Sequence, residues 1–140
     1  MFTLTQPLTI DSINSYAHHL FANLANSKLL TFRSVEISGW QPEKRKCHNN
    51  VETFLGSHTN YRKIYGWIVV DSPDSNFCIF LSHSVVADES GNIFEITPIE
   101  SLDPRPFIQS NLPEEDFETL VLWLSDNLNT LNLTHNKNGT

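Results

Sequence analysis

Two long β-forming runs joined by a turn constrain this chain more than any other feature. Lys63 to Val70 (KIYGWIVV) and Asn76 to Ala87 (NFCIFLSHSVVA) are rich in β-branched and aromatic residues, and the DSPDS between them has the composition of a tight turn. So short a connection admits an antiparallel pair, because a parallel pair needs a crossover of a dozen or more residues. The second run enters Asp88-Glu89-Ser90-Gly91, which reads as a type I turn with glycine in the left-handed position, and then Ile93 to Thr97 (IFEIT). Three antiparallel strands in succession are therefore expected.

Helical periodicity flanks this centre. From Asp11, residues Ile13, Tyr16, Ala17, Leu20, Phe21 and Leu24 recur at helical spacing, with Asp11 or Ser12 placed to cap a helix that ends near Ser27. Leu29 to Ile37 (LLTFRSVEI) reads as a strand stopped by Gly39, Trp40 and Pro42. A short helix is expected to start just after Cys47, with Val51, Phe54 and Leu55 on one face and Asn49 with Glu52 as a capping-box variant. A Pro-rich link from Pro98 to Pro106 leads to Leu112-Pro113-Glu114-Glu115-Asp116, suited to the first turn of a last helix. Its buried stripe is Phe117, Leu120, Val121, Leu124, Leu128 and Leu131, and the polar stretch from Thr134 to Thr140 reads as a frayed tail. The expected fold is one α+β domain over residues 1–140. An antiparallel sheet of about four strands packs against an N-terminal helix, a short Cys-bearing helix and a C-terminal helix.

Charge and motif content exclude several function classes. Nine Lys and Arg against 16 Asp and Glu give a net charge of −7, which repels a phosphate backbone, so nucleic acid is not expected as a partner. No apolar run approaches the roughly 20 residues needed to cross a bilayer, and no basic region followed by an apolar stretch opens the chain. No membrane association and a cytoplasmic location are expected, which leaves the glycosylation triplet Asn132-Leu133-Thr134 without meaning. Cys47 lies in a polar run and Cys78 in an apolar one, so two free thiols are expected rather than a disulfide. Cys47, His48, His58 and His83 have poor spacing for zinc, and there is neither a Gly-x-Ser-x-Gly elbow nor a phosphate-cradling loop. Neither metal nor cofactor is expected.

The residues that can carry chemistry are a thiol, an imidazole and a carboxylate. Lys44, Arg45 and Lys46 directly precede Cys47, and cations together with a helix N-terminus lower a thiol pKa. The bland alternative is a solvent-facing basic turn with an incidental cysteine. Strand alternation puts His83 on one face with Phe77, Ile79, Leu81 and Val85, and Cys78, Phe80, Ser82, Ser84 and Val86 on the other. A histidine in such a row is either a satisfied core residue or a base. If Gly91 closes a three-residue loop, Asp88 faces Asn92 and the ladder runs Ala87 to Ile93, Val85 to Glu95 and His83 to Thr97. Glu95 is then diagonal to His83 on one face, roughly 7 Å away and within reach of its carboxylate, whereas a one-residue slip would put the two on opposite faces.

A cysteine at a helix start, a histidine on a strand and an acid on the next antiparallel strand resemble the papain-like superfamily, above all its transglutaminase-like branch. The likeness covers Lys46 to Pro98 and is carried by Cys47-His48-Asn49-Asn50-Val51, Gly66-Trp67, Ser82-His83-Ser84-Val85 and Phe94-Glu95-Ile96-Thr97-Pro98. Glu95 stands where the family usually has Asp or Asn, and Ser82 and Ser84 replace its aromatic neighbours of the histidine. The resemblance implies that Cys47 is the nucleophile, His83 its base and Glu95 the orienting carboxylate. It also implies a papain-like core and a thiol-dependent hydrolase or amidotransferase acting on an amide bond, as an amidase, peptidase or protein glutamine deamidase with a protein or peptide substrate. Gln41 matches the spacing of the papain glutamine and would join the Cys47 N–H in an oxyanion hole, with Trp40 and Trp67 as cleft walls. The alternative reading is a noncatalytic acidic protein that binds or inhibits a partner; substrate and oligomeric state stay open.

Overall fold

The computed structural model describes residues 2–98 and 105–138. In chain order it contains α1 (Ile10–Ala22), a 3-10 turn (Leu24–Asn26), β1 (Thr31–Phe32), α2 (Cys47–Ser57), β2 (Arg62–Asp71), β3 (Phe77–Ala87), β4 (Ile93–Glu95), β5 (Phe107–Gln109), α3 (Glu114–Leu128) and β6 (Asn132–Asn136). The fold is α+β, as expected, but the sheet has six strands and is mixed, because β1 runs parallel to β4 while the other pairings are antiparallel. The paths differ at the ends of the chain. Thr9, not Asp11 or Ser12, caps α1 in a reciprocal box with Ser12, and the helix stops at Ala22. Where a strand was expected over Leu29 to Ile37, only Thr31–Phe32 joins the sheet as a strand, because β4 offers a partner just three residues long.

Two strands come from segments without a clear alternation. β5 follows the Pro-rich link, whose residues 99–104 lie outside the described residues, and pairs with β2. β6 takes Asn132–Asn136, which includes the start of the expected frayed tail, and pairs with β3. Leu131 falls outside α3, which ends at Leu128 with Asn129 in the left-handed conformation; both leucines are exposed rather than part of the buried stripe.

The three helices share one face of the sheet. α1 and α3 bury Tyr16, Leu20, Phe117 and Leu120 against Trp67, Cys78, Phe80 and Leu133, and the Trp67 indole N–H donates to the Tyr16 hydroxyl at 3.1 Å. α2 lays Val51 and Phe54 on Val86, Phe94 and Ile96. The opposite face, carrying Ile64, Val85, Ala87 and Phe107, is covered by the segment that leads into β1. Lys28 bridges Phe107 with bonds of 2.8 Å in both directions, and Leu30 packs on the apolar cluster below.

Gly66 sits between these features. It pairs with both His83 and Gln109, and a Cβ there would overlap the carbonyl of Ile108 and the ring of Phe107. The missing side chain lets Phe107 lie across β2, with its ring 6.1 Å from that of His83. Gly66→Ala should therefore lower unfolding free energy by about 1–3 kcal/mol, as overpacking does. An unchanged urea midpoint would show that Phe107 does not occupy this position.

Candidate active site

The site forms where the edge of β3 is left unpaired. β2 occupies one edge along its whole length, while on the other β6 takes Phe77–Leu81 and β4 takes Val86 and Ala87. Residues 83–85 lie between, since the Ser82 N–H still donates to Leu131 O at 3.2 Å. Cys47 enters this notch at the first position of α2, with Sγ 3.9 Å from the carbonyl oxygen of Ser82. The helix thus begins at Cys47 rather than after it, and Lys46 is its N-cap without a side-chain cap. Asn50, not the expected Asn49 and Glu52 pair, fixes the approach. Its amide donates to Glu43 O at 2.8 Å and Thr97 Oγ1 at 3.0 Å, and its carbonyl accepts from Glu43 N at 3.0 Å. The first N–H groups of α2 have no partner one turn back and give Cys47 the positive end of the helix dipole.

His83 and Glu95 meet through the expected register. Ala87 pairs with Ile93 and Val86 with Phe94, while Gly91 closes the turn with φ of 87° and Asp88 N–H donates to Asn92 O at 2.9 Å. His83 Nε2 then lies 2.6 Å from Glu95 Oε1, with the two side chains 11% and 10% exposed. Because Glu95 engages Nε2, Nδ1 is the ring nitrogen left for the sulfur. The Cys47 thiol is coupled electrostatically to His83 and also to His48. Burial opposes the Cys47 thiolate, yet the bonds and charge of the two imidazoles outweigh it and bring the pKa from 9.0 down to about 6. Burial likewise opposes the His83 imidazolium, but hydrogen bonds and charge from Cys47 and Glu95 raise its pKa from 6.5 to about 9. Between these values the thiolate–imidazolium form predominates.

The three residues singled out as a triad are brought together; the cleft residues are not. Gln41 is exposed and donates to Glu36 Oε2 at 3.4 Å. Trp67 is fully buried in the core, and Trp40 packs against the cluster beneath α2 and bridges Ile37. These positions correct the assignment of Gln41 to an oxyanion hole and of Trp67 to a cleft wall: a fully enclosed indole cannot line a cleft, and the Gln41 amide is committed to a surface carboxylate, whereas Trp40 is half-buried. Cys78 is a free, buried thiol whose pKa burial pushes up to about 11. His48 is the residue that sequence reasoning passed over. Its adjacency to Cys47 counted against it as a metal ligand, and the two serines that hold it are separated from it by more than thirty positions. Among the described residues, no three His, Cys, Asp or Glu side chains are grouped to hold a metal ion, and no helix is long and apolar enough to cross a membrane. No family profile, curated protein or solved structure matches the chain.

The raised His83 value stabilises the fold fully below pH 6.5 and is lost as pH rises through about 9, whereas the lowered Cys47 value acts fully above 9.0 and is lost as pH falls through about 6. The two slopes oppose each other, so ionisation rather than stability reports the pair. Thiolate ultraviolet absorbance, absent in Cys47→Ser, should titrate with a midpoint near 6, and the His83 ring proton signal with a midpoint near 9. The reverse order of midpoints would refute the ion pair.

Proposed function

We propose that this protein is a thiol-dependent hydrolase or amidotransferase of papain-like or transglutaminase-like type, acting on an amide bond of a protein or peptide substrate. The observation that carries the reading is the convergence of Cys47, His83 and Glu95 from three separate elements, with the thiol pKa near 6 and the imidazole held by a buried carboxylate. A lowered thiol pKa at a helix start beside a histidine is the arrangement that activates a cysteine nucleophile. A nucleophile that works as a free thiolate also fits the cytoplasm, where thiols are kept reduced.

In this reading the Cys47 thiolate attacks the carbonyl carbon, and the Cys47 N–H at the start of α2 is aimed to stabilise the oxyanion. The His83 imidazolium gives its proton to the leaving nitrogen as the C–N bond breaks, which leaves a thioester on Cys47 and a neutral His83. Water then hydrolyses the thioester, or an acceptor amine takes the acyl group. Glu95 keeps the ring oriented throughout.

Iodoacetamide labelling of Cys47 against pH tests the first requirement. The rate should follow an apparent pKa near 6, and His83→Ala should move it toward the ordinary thiol range near 8.5, cutting the rate at pH 7 by about tenfold or more. Labelling with an ordinary thiol pKa that ignores His83→Ala would remove the enzyme reading.

A further inference from the structure

The hydrolase reading leaves one imidazole unused. Ser82 and Ser84 stand in the row Cys78, Phe80, Ser82, Ser84 and Val86, on the face of β3 that packs under the helices, and Ser84 is fully buried. A buried hydroxyl without a partner costs about 1–3 kcal/mol, so hydroxyls in an apolar row call for a polar group above them. That group is His48. Its Nδ1 is hydrogen-bonded to Ser84 Oγ, its Nε2 lies 3.4 Å from Ser82 Oγ, and its ring is flanked by Tyr65 at 6.0 Å and Phe117 at 6.4 Å. Ser82 ties the sulfur to this ring, since Cys47 Sγ lies 3.9 Å from its carbonyl oxygen and His48 Nε2 3.4 Å from its hydroxyl, and His48 together with His83 lowers the thiol pKa.

The two rings have different kinds of support. Glu95 only accepts, so it holds a proton on His83 Nε2. Serine hydroxyls donate or accept as they rotate, so His48 can gain and lose a proton without breaking either contact. The titratable and charged groups facing the ring are Cys47 on its own helix and Tyr65 on β2. Beyond Tyr65 stand Lys63, whose amine lies 4.6 Å over that ring, and Glu114 and Glu118 of α3.

Resting on the hydrolase reading, we propose that His48 is a second catalytic imidazole at Cys47, the one that takes the proton of the hydrolytic water. Acylation leaves His83 neutral and the acyl group on sulfur. Water attacks the thioester carbonyl, a C–O bond forms, and His48 accepts one water proton. The C–S bond then breaks, the carboxylic acid departs, and the restored sulfur passes the proton from His48 to His83, which regenerates the thiolate–imidazolium pair.

p-Nitrophenyl acetate separates the two half-reactions on the intact chain, since acylation releases a burst of p-nitrophenolate and deacylation sets the steady rate. The parent should show both, and Cys47→Ala neither. His48→Gln should keep a burst near one equivalent while turnover falls about 100-fold, the span of general acid–base catalysis, and acetylated Cys47 should accumulate in the intact mass spectrum. Ser84→Ala retains the ring but removes its Nδ1 partner, and serves if His48→Gln does not fold; its burst should persist with turnover several-fold lower. Turnover within twofold of the parent in either folded variant overturns the role of His48 and leaves the hydrolase reading intact. A parent without a Cys47-dependent burst overturns both.

Discussion

Ten consecutive residue pairs, from Arg62 with Ala87 to Asp71 with Cys78, join β2 to β3 and use up one whole edge of β3. Everything else in the sheet has to share what remains. β6 and β4 claim the two ends of the other edge and do not meet, and with the Ser82 N–H bonded to Leu131 O, residues 83–85 of β3 stay open in the interior of an otherwise continuous sheet. A strand's side chains alternate between faces, and in an unbroken sheet a sulfur carried by a helix on one face could not touch an imidazole on the other. At the open edge it can. The chemistry of the site is a product of that interruption.

Electrostatics then makes the pair cooperative. Burial disfavours both charges, and each is ionised near neutrality because its neighbours outweigh burial, His48 and His83 for the thiolate and Cys47 and Glu95 for the imidazolium. Glu95 adds its carboxyl group beside the imidazole, and its Oε2 is buried without a hydrogen-bond partner among the described residues. That unmet acceptor costs stability, of the kind that functional sites retain and packed cores remove. Asn50 performs the complementary task of anchoring the basic approach to α2 onto Thr97, two residues beyond β4, so that Cys47 and Glu95 are registered through one side chain.

The central hairpins were readable from the chain because two turn sequences and strict alternation fix the register, and Asp88 to Asn92 alone decides whether Glu95 faces His83. The helices were readable from their apolar spacing. β5 and β6 were not, because three- and five-residue strands beside Pro-rich or polar sequence carry too little alternation to register, and their pairing is a tertiary event. Gln41, Trp40 and Trp67 show the limit of spacing as a guide: a distance along the chain to the nucleophile says nothing about which way a side chain faces. His48 shows the opposite limit, since the cue to its placement lay in two serines on a distant strand that alternation had placed on the helix-facing side.

The closure of the sheet also costs chain entropy. Lys28 meets Phe107, and Leu81 meets Asn132, contacts that each close a loop of more than fifty residues. A cysteine in an open chain lacks the two imidazoles that support its thiolate, so a thiol pKa near 6 is a property of the completed fold alone.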